Sequence, residues 1–178
     1  VYDSSHNLLL KESQNILSKN VYSLSKYYSE LLIKRYNSFF KTLSLRIFFP
    51  YEINESSGHG YLNFLFKIMT NNDDPIMLSQ NIYFRPIEVK DLCKSVYKFL
   101  KINNKEPIIN LSGKKLYNSH DLLIDIKKYF KLDKEIIKPK INIYFNNSTR
   151  LMFKYLKKTN HLNNNINYKN DIKLFINN

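Results

Sequence analysis

The sequence predicts an α/β fold, because amphipathic helices alternate with short apolar strands along its 178 residues. A helix is predicted at residues 21–40, where apolar side chains recur at the three- and four-residue intervals of one helix face. Residues 43–49 follow as a run of apolar and β-branched character, which is typical of a buried strand. Helices and strands then continue to alternate downstream, as they do in α/β proteins.

The later elements are predicted in order from the same kinds of pattern. Three helices are indicated by the spacing of apolar residues, at 61–70, 91–100 and 119–130. Short strands are predicted at 75–78, 82–85, 108–111 and 141–145, and a last helix from 147 or 148 to 158. Polar stretches at 52–60 and 160–170 are predicted to be loops. Ser119 is expected to cap its helix, and Asp91 to cap its own or favour its dipole.

Tyr22 and Lys26 are the first candidates for chemistry. They lie four residues apart at the start of the first helix, so both side chains project from one face. A free phenol, with a pKa of about 10, is a poor acid or base at neutral pH, and a neighbouring cation lowers that pKa. Such a pair can exchange a proton with a substrate hydroxyl or carbonyl while a nicotinamide passes hydride. An ordinary helix surface is the alternative, because a chain with 14 tyrosines produces this spacing by chance.

Five segments carry a more specific pattern. Tyr22-Ser23-Leu24-Ser25-Lys26 is followed by Glu30, and the other segments are Val1-Tyr2, 45–51, 85–92 and 107–113. Their order and their spacing along the chain resemble those of five segments of one protein family. In the same sequence as above, these are the Tyr-x-x-Ser-Lys helix, the Val-Tyr-Gly segment, the Leu-Arg strand, the Val-x-Asp-Leu segment and the strand after it. That family is the extended short-chain dehydrogenases/reductases, which include the NAD-dependent sugar-nucleotide epimerases, dehydratases and reductases.

The resemblance implies the C-terminal part of a Rossmann-like, doubly wound parallel sheet plus a small α/β substrate-binding lobe. Residues 1–51 would end the dinucleotide-binding domain and carry the catalytic helix. Residues 52–178 would be mainly the substrate lobe, with interleaved segments that return to the sheet. The chain has three glycines and no Gly-x-x-Gly-x-x-Gly turn, so the phosphate-binding half of the domain is expected to precede Val1.

The resemblance also implies roles for individual residues, with NAD or NADP as cofactor and a nucleotide sugar as substrate. Tyr22 would be the general acid/base, and Lys26 would support it and hold the nicotinamide ribose. Phe49 would contact the cofactor or pack in the core. Arg85 would grip a diphosphate with its planar guanidinium, or lie on the surface at a strand end. Phe49 and Pro86 resemble the dTDP-4-dehydrorhamnose reductase-like branch, and a homodimer through the Tyr22 helix fits the family.

Two other kinds of function stay open. Glu52, where the family has Gly, together with Phe49 and Pro86, leaves room for a non-catalytic binding or regulatory relative. The formal charge of +13 and pI of about 9.6 invite a nucleic-acid-binding interpretation, but the lysines are scattered among apolar residues. A basic surface that attracts a sugar diphosphate is favoured over nucleic acid as a partner.

The composition also argues against a disulfide-bonded, a metal-binding or a membrane-spanning protein. Cys93 is the single cysteine, so no internal disulfide can form, which fits a reducing, cytoplasmic compartment. The four histidines have no metal-ligand spacing, so no metal site is predicted. No apolar run approaches the length of a membrane span, and no membrane partner is predicted.

Overall fold

The computed structural model describes residues 10–13, 20–52, 60–71, 75–102, 106–145 and 147–156. The expectations for Val1-Tyr2, for most of the loop at 52–60 and for the tail beyond 156 lie outside these residues. All statements of structure below concern the described part of the chain.

Helices and strands alternate as the sequence predicts. The helices are α1 (Val21–Arg35), α2 (Tyr61–Asn71), α3 (Val89–Lys101), α4 (Ser119–Phe130) and α5 (Arg150–Leu156). The strands are β1 (Ser44–Ile47), β2 (Pro50–Tyr51), β3 (Ile76–Met77), β4 (Gln80–Phe84), β5 (Ile87–Glu88), β6 (Ile108–Leu111), β7 (Tyr117–Asn118), β8 (Ile136–Ile137) and β9 (Ile141–Tyr144).

Most of the strand pairs are parallel. Strand β1 pairs with β6, in the register Ser44 to Ile108 through Ile47 to Leu111. Parallel pairs also join β2 to β5, β3 to β8 and β4 to β9, whereas β7 runs antiparallel to β4. Parallel neighbours need a crossover connection, which α2 and α3 supply between β1 and β6. The predicted α/β class with parallel strands is confirmed.

Two clusters of buried apolar residues hold the elements together. The larger lies around α2, α4 and β4 and is formed by Tyr51, Leu62, Leu65, Phe66, Met69, Ile76, Leu78, Phe84, Leu122, Leu123 and Ile126. The smaller joins β5, α3, β6 and α5 and is formed by Ile87, Phe99, Ile109, Leu111, Met152 and Leu156. Burial of these side chains removes apolar surface from water, at about 25 cal/mol for each Å².

The first helix and strand are shorter than predicted. Helix α1 ends at Arg35 rather than at residue 40, and the chain turns at Asn37 and Ser38. Side chains of this kind compete with the helix for backbone hydrogen bonds, and the Asn37 amide oxygen accepts from Thr42 Oγ1 at 2.8 Å. Strand β1 covers Ser44–Ile47 instead of 43–49. It stops before Phe49, whose φ of 44° cannot continue a strand.

The capping predictions were wrong for two helices. Asn118, not Ser119, caps α4, since its side-chain oxygen accepts from the backbone N–H of Asp121 at 2.8 Å. Ser119 is buried, and its hydroxyl instead accepts from the N–H of Ile82 at 2.9 Å. Asp91 lies in the first turn of α3 rather than at its cap, and it is buried beside Lys94. Its charge still lies near the positive end of the helix dipole.

Candidate active site

Tyr22 and Lys26 lie one turn apart at the beginning of α1. Asn20 caps the helix, because its side-chain oxygen accepts from the N–H of Tyr22 at 2.8 Å. The Lys26 ammonium nitrogen lies 5.4 Å from the centroid of the Tyr22 ring. Tyr22 is 68% exposed, so the phenol is open to an incoming molecule. The predicted pair is therefore adjacent in space and accessible.

A cavity of about 640 Å³ lies beside this pair. Its walls come from α1, from β1 with the residues on either side of it, and from the segment after β9. The lining residues are Tyr22, Lys26, Ser29, Glu30, Ile33, Leu43, Ser44, Leu45, Arg46, Ile47, Phe48, Phe49 and Phe145. Tyr22, Lys26 and Phe49, three of the four residues predicted for the site, thus line one cavity, whereas Arg85 is not among the lining residues.

Phe49 forms the aromatic wall of the cavity. Its ring centroid lies 4.9 Å from that of Phe84, 5.4 Å from that of Phe145 and 5.9 Å from that of Tyr61. Its backbone has a φ of 44°, a left-handed conformation that is unfavourable for a bulky side chain. Such strain persists where the surrounding packing compels it, and it is common at functional sites. Phe49 therefore packs against the core and also lines the cavity, and its contact with a cofactor stays a prediction.

Arg85 lies in the connection between β4 and β5. Its Nη1 donates to the backbone carbonyl of Lys114, which belongs to the segment after β6. Burial lowers the pKa of the Arg85 guanidinium, because desolvation disfavours its charged form. An arginine nevertheless stays charged in proteins at neutral pH, so this site keeps a fixed positive charge.

A buried ion pair ties α1 to the sheet. Arg46 on β1 donates from Nε to Oε1 of Glu30 at 2.8 Å and from Nη2 to Oε2 at 2.7 Å. The side chains are only 6% and 11% exposed. This two-point geometry is the strong form of an arginine–carboxylate interaction. The sequence marked both residues as parts of family-like segments without predicting that they pair; a charged residue within an apolar strand was the available signal.

A polar cluster extends from the pair toward β6. Arg46 Nη1 approaches the backbone carbonyl of Glu12 at 3.5 Å, and the Glu12 carboxylate accepts from the N–H of Asn110 at 3.1 Å. The side-chain amide of Asn110 donates to the carbonyl of Leu10 at 3.0 Å. Asn110 is fully buried, and satisfied buried polar groups of this kind favour one arrangement of the chain. Residues 10–13 thereby contact both β1 and β6.

The cavity brings together titratable, charged and apolar side chains. It combines a phenol, an ammonium, an internally paired carboxylate and guanidinium, and an apolar aromatic wall. Among the described residues there is no group of three or more His, Cys, Asp or Glu side chains that could hold a metal ion. In the same part of the chain, no helix combines the length and the apolar character that a membrane crossing requires.

Comparison with solved structures identifies the fold as that of NAD-dependent sugar-nucleotide epimerases and dehydratases. One similar structure is UDP-N-acetylglucosamine 4-epimerase from Methanobrevibacter ruminantium M1 in complex with UDP-N-acetylmuramic acid, with 20% identity, a TM-score of 0.70 and 99% of this chain covered. Another is dTDP-glucose 4,6-dehydratase from Bacillus anthracis in complex with NAD, with 12% identity, a TM-score of 0.75 and 99% covered. A third, RMD from Pseudomonas aeruginosa complexed with NADPH, has 11% identity, a TM-score of 0.68 and 99% covered.

This chain spans 60%, 57% and 61% of the lengths of those three proteins, respectively. No protein-family model matches the sequence, and no curated protein matches it. At these identities the likeness shows the fold, and the predicted Rossmann-like α/β fold is confirmed.

Proposed function

We propose that this chain is the C-terminal part of an NAD(P)-dependent enzyme that epimerises, dehydrates or reduces a nucleotide sugar. The observation that carries the proposal is the placement of Tyr22 and Lys26 side by side on the wall of a 640 Å³ cavity. The fold supports it, since the solved structures with this fold include one named as a 4-epimerase and one named as a 4,6-dehydratase, and two of the three are complexed with NAD or NADPH.

Tyr22 is proposed as the general acid/base that moves a proton to or from the reacting hydroxyl or carbonyl of the sugar. Lys26 stabilises the phenolate by its charge and offers further donors to the ribose hydroxyls of a dinucleotide. Phe49 supplies an apolar surface against which a flat ring can lie. These groups fit a nicotinamide cofactor, which, when bound, supplies the hydride transfer that no amino-acid side chain can perform.

The two-part domain organisation is also a proposal. Residues 1–51, with β6, α3 and α5, would complete the cofactor-binding domain, while residues 52–178 would otherwise form the substrate lobe. Two separate apolar clusters support this division, since the smaller one gathers β5, α3, β6 and α5 away from the lobe cluster. The segments that return to the first domain are thus interleaved with those of the second.

The test is turnover by the full-length protein with a panel of UDP- and dTDP-sugars and either NAD or NADP. Absorbance at the reduced-nicotinamide band and chromatography of the sugar products would separate epimerisation, dehydration and reduction. Binding of the reduced cofactor without any turnover would contradict the enzymatic proposal and favour a non-catalytic relative, for which the residues Phe49, Glu52 and Pro86 leave room. Tight, salt-dependent binding to DNA or RNA would favour the basic nucleic-acid binder.

Arg85 is proposed to bind the diphosphate of the substrate, and Arg85→Lys tests this role. Lysine keeps the charge but loses the planar two-point geometry, so KM for the nucleotide sugar is expected to rise about tenfold with little change in kcat. Steady-state kinetics measure both, and Arg150→Lys, an exposed arginine at the start of α5, is the matched control. An unchanged KM with lower stability would instead assign Arg85 to its contact with the Lys114 carbonyl.

A cytoplasmic location, a place in surface-polysaccharide synthesis or a related glycosylation route, and a homodimer through α1 are part of the proposal. The single cysteine fits the location. Helix α1 has no buried residue and exposes large apolar side chains, among them Tyr28, Leu31 and Leu32, which a second copy could cover. Light scattering on the protein used for the turnover assay gives its mass.

A further inference from the structure

Helix α1 carries the reactive pair, yet apolar burial does little to fix its position. None of its residues is buried in this structure. Among the described residues, the helix meets the sheet through the two-point bond between Glu30 and Arg46, at 2.8 and 2.7 Å. This bond therefore restricts rotation of the helix about its axis.

Glu30 lies on the same face of α1 as Tyr22 and Lys26. Tyr22, Lys26 and Glu30 follow at intervals of four, so they stack on one side of the helix. All three line the cavity together with Arg46. A fixed position of Glu30 therefore restricts where the side chains of Tyr22 and Lys26 can lie.

The bond between Glu30 and Arg46 also affects the charge around Lys26. Lys26 and Glu30 have opposite charges at a four-residue spacing, at which they attract each other on a helix. In this structure, where both residues are described, they do not form an ion pair. Arg46 holds both oxygens of the Glu30 carboxylate, and the ammonium of Lys26 lies 5.4 Å from the Tyr22 ring centroid instead.

The surroundings keep Arg46 in this orientation. Its third nitrogen approaches the carbonyl of Glu12 at 3.5 Å, and Glu12 is itself bonded to the N–H of Asn110. The charged or titratable groups that face the reactive pair among the described residues are therefore Glu30 on α1 and Arg46 on β1, with Glu12 behind Arg46.

We propose that Arg46 is a positioning residue that binds Glu30 and so keeps the Lys26 ammonium available to Tyr22. This inference rests on the proposed function for its effect on turnover, although its effect on Tyr22 can be measured without turnover. Without the guanidinium, the Glu30 carboxylate would turn to Lys26, and the phenolate of Tyr22 would lose the cation that stabilises it.

Arg46→Met in the full-length protein tests the proposal, with Arg46→Met/Glu30→Gln as the decisive partner variant. The single variant is expected to move the acidic limb of the kcat profile upward by about one pH unit, because the phenolate loses its neighbouring charge. The double variant removes the carboxylate as well and is expected to return the limb to the wild-type position. Arg35→Met removes an exposed charge from the last turn of the same helix and is the matched control.

A second measurement separates this inference from the proposed function. Labelling with [ζ-13C]tyrosine follows each phenol by NMR across pH, and Tyr22→Phe identifies the Tyr22 signal. The same upward shift in Arg46→Met and the same return in the double variant are expected even if no substrate is turned over. If Arg46→Met does not fold, Arg46→Gln retains a hydrogen-bond donor without the charge and is expected to show the shift. If the Tyr22 signal changes with pH identically in the wild type, the single variant and the double variant, the proposal is overturned. The ion pair between Arg46 and Glu30 would then have a structural role only.

Discussion

Tyr22→Phe is expected to lower turnover of the nucleotide sugar by at least about a hundredfold, since a positioned acid or base contributes 10²- to 10⁴-fold. The substitution keeps the ring, which is 68% exposed and 5.4 Å from the Lys26 ammonium, and removes only the hydroxyl. The fold is therefore expected to survive, and binding of the reduced cofactor to change little. Single-turnover kinetics with the full-length protein, combined with cofactor titration, measure the two effects separately.

Tyr28→Phe is the control for that experiment. Tyr28 is 61% exposed on the same helix but is not among the residues that line the cavity. Removal of its hydroxyl is expected to leave turnover within about twofold of the wild type, since surface substitutions away from a site have small effects. Equal losses in both variants, or substantial turnover left in Tyr22→Phe, would refute the assignment of Tyr22 as the acid/base.

Gly113→Ala is expected to cost about 3 kcal/mol or more of the free energy of unfolding, the upper end of what overpacking costs. A Cβ atom at Gly113 would lie 1.9 Å from the backbone oxygen of Pro86 and 3.1 Å from its carbonyl carbon. Both neighbours belong to the main chain, so no side-chain rotation can relieve the overlap. The end of β6 and the connection from β4 to β5 would have to separate, and chemical denaturation measures the loss.

Gly60→Ala is the comparison that isolates this overlap. Gly60 has a φ of 98°, so an alanine there is strained by its backbone, but among the described residues its Cβ would meet only the oxygen of Pro50, at an ordinary 3.5 Å. About 1 to 2 kcal/mol is expected for that conformational cost alone. If Gly113→Ala were no more destabilising than Gly60→Ala, the close approach of β6 to Pro86 would not constrain the fold.

The contact at Gly113 also bears on the proposed site. Arg85 immediately precedes Pro86, and it donates to the carbonyl of Lys114, which immediately follows Gly113. The two connections are thus held together by a backbone contact and a hydrogen bond at adjacent positions. Separation of the segments in Gly113→Ala is therefore expected to displace Arg85 as well, so the loss of stability would be accompanied by a higher KM.

Much of this architecture follows from local patterns in the sequence. The strand at Ile108–Leu111 was predicted at its observed bounds, and the helix at Ser119–Phe130 was predicted apart from its cap, because apolar spacing and flanking polar residues define them locally. The adjacency of Tyr22 and Lys26 also follows from the sequence, since residues four apart in a helix are neighbours whatever the rest of the chain does. The end of α1 was misjudged because Asn37 and Ser38 break the helix while the apolar pattern continues.

Three features were decided only by the tertiary structure. Glu30 and Arg46 are 16 residues apart, Phe49 meets Phe84 and Phe145 in one aromatic cluster, and Gly113 meets Pro86 across two connections. No sequence spacing fixes such contacts, because they depend on which strands become neighbours. The sequence by itself determined most of the elements and the adjacency of Tyr22 and Lys26 on the first helix, since both depend on neighbours within a turn. Only the tertiary packing determined what holds that helix, what surrounds Phe49 and what shapes the cavity, since these contacts join residues far apart in the chain.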